Sequence, residues 1–195
     1  MTPVRPLDSV ARQRLEQSLK TLFRSFDPRD EPFTDVVPDR FLLYPYGLQL
    51  DRAEVHALRA GMEAVGDSTA FVTEVEAKED EGEAAPAWSI HADDLEYLGE
   101  QAISVLDHVI VSPQAAWALL RSHEQHVLGA GIDSFVRAFR SRMPSLDDQA
   151  RRFVSDWMLM GSKGSEDAGW VHGVLVHIFG ETDASRFLAA PTHGN

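Results

Sequence analysis

The stretch VLDHVIVSPQAAWALLRSHEQHVLGAGIDSFVRAF, residues 105–139, decides how the fold is read. Residues 105–111 alternate with a high β-branched content and predict a strand. Ser112-Pro113 then predicts a turn. Residues 116–122 predict a second strand, in which the period of two puts Trp117 and Leu119 on one face and Ala118 and Leu120 on the other. A polar turn, a short strand at 126–128, a glycine-rich bend and a helix follow, with Phe135, Val136 and Phe139 on the inner side of the helix. Strands joined by such short connections pair antiparallel, so the stretch predicts a meander.

Outward from the meander, Asp8 or Ser9 caps a first helix that is expected to run to about Phe26, with Leu15, Leu19 and Leu22 along its apolar face. Pro28, Pro32 and Pro38 exclude helix from the next segment. A short strand is expected at 41–44 and a helix at 52–65, opened by Asp51 and closed by Gly66-Asp67. Residues 69–75, TAFVTEV, and 87–91, AWSIH, predict an antiparallel hairpin whose long tip carries the acidic run 76–83. Asp93 or Asp94 is expected to cap a helical turn beyond it.

Beyond residue 139, Met143-Pro144 stops one helix and Ser145 opens the next, with Phe153, Trp157 and Met160 on one side. After a break at 161–164, residues 166–179 are apolar almost all round, which predicts burial against two neighbours. The order, strands then helices, predicts a single α+β domain over 1–195. It comprises an N-terminal helix to 27, a mainly sheet part with one helix at 40–131, and a helical part at 132–190. The sheet is expected to hold five or six strands.

Composition narrows the function. The 195 residues are 44% hydrophobic and 25% charged, ordinary globular values, but the formal net charge is -13. Such an excess disfavours nucleic acid and anionic membranes as partners and suits a basic protein. With no cysteine, thiolate nucleophiles, disulfides and Cys-ligated metals are excluded. Absence of a secretory pattern at the start and of long apolar runs implies a cytoplasmic protein.

Four motifs recur in one known pattern: Ser112-Pro113-Gln114-Ala115, Trp117-Ala118, Ser122-His123-Glu124-Gln125-His126 and Gly129-Ala130-Gly131. Their order resembles a meander of small bacterial proteins that include toxin-neutralising immunity proteins. That pattern has Ser-Pro-x-Gly, Trp-Gly and Gly-Gly; here Ala115 and Ala118 stand where glycines are expected. The resemblance, confined to residues 105–139, implies an α+β fold and a protein that binds rather than reacts.

Candidate chemistry is sparse. His123 and His126 flank a Glu-Gln pair and would meet one metal ion only across a turn, because residues three apart on a strand face opposite ways. His91 and Asp93 share a face if extended and would complete a His/Asp set for a metal-dependent hydrolase. A polar turn and a helix cap are the simpler readings of the same residues. His172 and His177, five apart on a helix, do not share a face. Gly161-Ser162-Lys163-Gly164 has the wrong spacing for a phosphate loop.

The leading expectation is therefore a non-catalytic acidic binding protein without a cofactor. It would mask a partner, such as a basic toxin, through an acidic sheet face or through Glu79, Asp80, Glu81 and Glu83 at the hairpin tip. The alternatives are the hydrolase and a structural or regulatory domain of a bacterial assembly.

Overall fold

The computed structural model describes residues 4–45, 50–75, 85–98, 107–162 and 169–189. The fold is α+β, with a seven-stranded antiparallel sheet between two helical layers. In chain order the elements are β1 (Val4–Pro6), α1 (Ser9–Leu22), β2 (Asp39–Leu43), α2 (Arg52–Ala64), β3 (Thr69–Glu74) and β4 (Ala87–His91), then a 3-10 helix at Ala92–Tyr97. The second half holds β5 (His108–Val111), β6 (Trp117–Arg121), β7 (Val127–Gly131), α3 (Asp133–Arg142), α4 (Leu146–Ser162) and α5 (Trp170–Ala189). Strand order across the sheet is β1-β4-β3-β5-β6-β7-β2.

Local signals place most of these boundaries. Asp8 caps α1, accepting from Ala11 N at 2.8 Å. Asp51 and Glu54 form a reciprocal capping box on α2. Gly66, at φ +75, closes α2, with its N–H and that of Asp67 returning to Glu63 and Met62 carbonyls. The expected hairpin is the β3–β4 pair, and β5, β6 and β7 form the expected meander.

The alternation within β6 sorts the core into two layers. Trp117 and Leu119 pack with Phe41, Val72 and Ile110 against α2 and α3. Ala118 and Leu120 pack on the opposite face with Leu42, Phe71 and Val109 against α1, α4 and α5. Trp117 is fully buried and stacks on Phe135, ring centroids 4.9 Å apart.

Several expectations are corrected. The sheet has a seventh strand, β1, whose pairing with β4 no local pattern announced. α1 ends at Leu22 because Phe23 turns extended and bridges Phe33. The glycines of 129–131 do not bend the chain; they lie within β7, where a Cβ at Gly129 would sit 2.3 Å from the Phe41 ring and one at Gly131 2.7 Å from Phe135. Glycine here makes room for aromatic rings on the sheet. Met160 is exposed, unlike Phe153 and Trp157. α5 breaks at Gly180, whose φ +77 and ψ 163 are not helical, so the apolar helix ends at Phe179 as expected and Phe187 and Leu188 lie on a separate last segment; the first segment nevertheless leaves His172 and Gly173 exposed instead of being buried all round.

β5, β6 and β7 are buried throughout on both faces, so these three strands present no open face.

Candidate functional site

One end of the sheet is built from the end of β3, the start of β5 and the β6–β7 turn, which the register places side by side: Glu74 pairs His108, His108 pairs Arg121, and Arg121 pairs Val127. A cleft of about 450 Å³ opens there, lined by Phe26, Asp27, Pro28, Arg29, Val75, Asp107, His123 and Glu124. Its size falls within the range of small-ligand sites.

The β6–β7 turn explains the geometry. Ser122 N donates to the His126 carbonyl at 2.9 Å, Glu124 N donates to Ser122 Oγ at 3.1 Å, and Gln125 takes φ +63. This tight turn sends His123 and His126 to different places. His123 is half-exposed, and Asp107, almost fully buried, accepts from both its backbone N at 2.6 Å and its Nδ1 at 2.9 Å. That contact fixes the ring with Nδ1 towards Asp107 and Nε2 turned away from it. Glu124 has a buried carboxylate that pairs with Arg29 through Oε1, while Oε2 has no hydrogen-bond partner among the described residues.

His126 is fully buried beneath the turn, stacked on Trp170 and tilted against Phe153. Its Nε2 lies 3.4 Å from the Pro28 carbonyl and its Nδ1 has no hydrogen-bond partner among the described residues. Burial pushes its pKa down to about 4, against smaller raising effects from Pro28 and Asp107. It is a neutral core residue that ties the 28–29 loop to α4 and α5.

His91 and Asp93 lie at the opposite end of the sheet, since His91 pairs Thr69 and the far end of β3 is Glu74. The four proposed hydrolase ligands therefore do not converge. Among the described residues no group of three or more potential ligands is placed to hold a metal ion. The helical turn after β4 is capped by His91 itself, whose Nδ1 accepts from Asp93 N at 3.3 Å, and not by Asp93 or Asp94. His177, which shares no site with His172, accepts from Phe33 N through Nε2 at 3.2 Å. Burial and the neighbouring Arg40 lower its pKa to about 4. Glu79, Asp80, Glu81 and Glu83 lie outside the described residues.

Sequence reasoning missed Asp107, Arg29, Phe26 and Asp27. Asp107 stands sixteen residues from His123, in no motif, and only strand pairing brings them together. The Asp107–His123 pair has the form of an oriented general base, yet Ser122 Oγ, the nearest hydroxyl in sequence, serves the turn by accepting from Glu124 N. Among the described lining residues, three carboxylates stand against one guanidinium. Such a site attracts cations and hydrogen-bond donors. Among the described residues no helix is long and apolar enough to cross a membrane. Comparison of the chain with protein-family models, with curated proteins and with solved structures finds no match.

Proposed function

We propose that this chain is a non-catalytic acidic binding protein that masks a basic protein partner, in the manner of a bacterial immunity protein. The observation that carries the reading is the charge balance at the surface. The chain has 31 acidic against 18 basic residues, and many of its arginines are already engaged internally. Arg24 pairs Asp35 at 2.8 Å, Arg59 pairs Glu96 at 3.1 Å, Arg151 pairs Asp148 at 2.8 Å and Arg186 pairs Asp183 at 2.9 Å, while Arg29 and Arg137 pair Glu124 and Asp133. The formal net charge is -13, and an anionic surface of this kind speeds encounter with a basic partner. The resemblance of residues 105–139 to the meander of such proteins is the second ground for the reading.

The test is a purified partner, identified by cross-linking in the source cells and reconstituted at controlled ionic strength. Association should slow markedly as salt rises, because screening shortens to about 8 Å at physiological strength. Reversing Glu79, Asp80 and Glu81 to Lys should slow it further. A partner bound at a rate indifferent to salt and to the reversal would remove the charge-based reading.

A further inference from the structure

The cleft at the β6–β7 end combines three features that point to one kind of ligand. Asp27, Asp107 and Glu124 outnumber Arg29 along its wall. The Phe26 ring is 39% exposed at its rim, a flat apolar surface for a planar cation. Glu124 has a side chain only 9% exposed, and while its Oε1 pairs with Arg29, its Oε2 has no hydrogen-bond donor among the described residues. The chain itself shows what satisfies such a group, since the Arg29 guanidinium pairs with the same carboxylate and lies over the Trp170 ring at 5.7 Å.

We propose that this cleft receives an arginine side chain of the partner, its guanidinium stacked on Phe26 and donating to Asp27 and Glu124. The inference rests on the reading of the chain as a binder of basic proteins and names the site that reading needs. Arginine fits better than lysine, because a planar fork of donors can serve a carboxylate and an aromatic face together. His123, held by Asp107, lines one side of the cleft. The cleft's volume of about 450 Å³ is large enough for a single long side chain, and reaching the buried Oε2 of Glu124 requires Arg29 or the β6–β7 turn to shift.

The probe is N-acetyl-arginine methylamide, titrated into the full chain, with the citrulline analogue as an uncharged isostere. Amide and imidazole NMR signals of Asp107, His123 and Glu124 should shift saturably with the arginine compound and stay still with citrulline. Glu124→Gln should weaken binding about tenfold, the scale of a lost charge-assisted hydrogen bond. Asp27→Asn, an exposed change that keeps the acceptor for Arg29 N, should weaken it by a smaller factor and guards against a folding defect in the first variant. Shifts scattered over the acidic surface, or an equal response to citrulline, would overturn the site. Saturable arginine binding in the cleft supports the site even if no basic partner is found. A basic partner whose affinity is unchanged in both variants overturns the site and leaves the broader reading standing.

Discussion

The indole Nε1 of Trp117 donates to Asp67 Oδ2 at 2.9 Å, joining two residues fifty positions apart in the middle of the buried core. Asp67 follows the glycine that ends α2, and its carboxylate also accepts from Ser112 Oγ at 2.6 Å and from Gln114 Nε2 at 2.8 Å. One buried acid thus holds the Ser-Pro turn, the Trp strand and the end of α2 together. Removing it strands the indole N–H and the Ser112 hydroxyl in an apolar interior. Asp67→Ala should cost about 3 kcal/mol or more in urea unfolding, on the scale of two unsatisfied buried donors.

Trp117→Ala should be at least as severe, about 3–5 kcal/mol, since it empties the space between β6 and Phe135. A double-mutant cycle with Asp67→Ala should show strong coupling, because each change removes the same hydrogen bond. Additive effects in the cycle would mean that the bond contributes little.

Ala115 sits at φ +55, in the left-handed region, at the position where the resembled pattern carries glycine. Its N–H closes the turn on Ser112 O at 3.1 Å, so the conformation is imposed by the turn. Ala115→Gly should stabilise the protein by about 1 kcal/mol, relieving the Cβ strain of that region. A fall in thermal midpoint would contradict the assignment.

Glycines divide by location. Gly129→Ala drives a methyl into the Phe41 ring and should cost about 1–3 kcal/mol through overpacking. Gly173→Ala, on the exposed side of α5 with nothing within 4 Å of the added Cβ, should stabilise by about 0.5–1 kcal/mol through helix propensity. Thermal unfolding of the two variants side by side checks both signs.

Acid should destabilise the fold through two imidazoles. His126 and His177 each have a folded pKa near 4 against an ordinary 6.5. A depressed value means that the contribution is complete above pH 6.5 and is lost as pH falls from there towards 4. For the fully buried His126 this amounts to about 3 kcal/mol. Glu54 runs the other way: burial raises its pKa to about 7, so its contribution is complete below 4.5 and is lost as pH rises through 7. His126→Phe, which keeps a ring against Phe153 and Trp170, should flatten the stability profile between pH 6.5 and 4. An unchanged slope would show that His126 does not titrate with unfolding.

Local periodicity and caps were enough to determine much of this protein from its sequence. Asp8 and Asp51 open their helices because a short acceptor side chain can bond the first free N–H groups, whatever lies elsewhere. The alternation of β6 assigned Trp117 and Leu119 to one core layer and Ala118 and Leu120 to the other. What spacing cannot carry is the choice of partner. The three-residue β1 found its place beside β4 through long-range pairing. The glycines of β7 read as a bend in the sequence, but the Phe41 and Phe135 rings fill the space that their Cβ atoms would occupy. Register alone put His91 at one end of the sheet and His123 at the other, dissolving the metal set, and brought Asp107 to His123. Those outcomes depend on which apolar faces meet and in what alignment, and that is decided only when the whole chain buries its surface together.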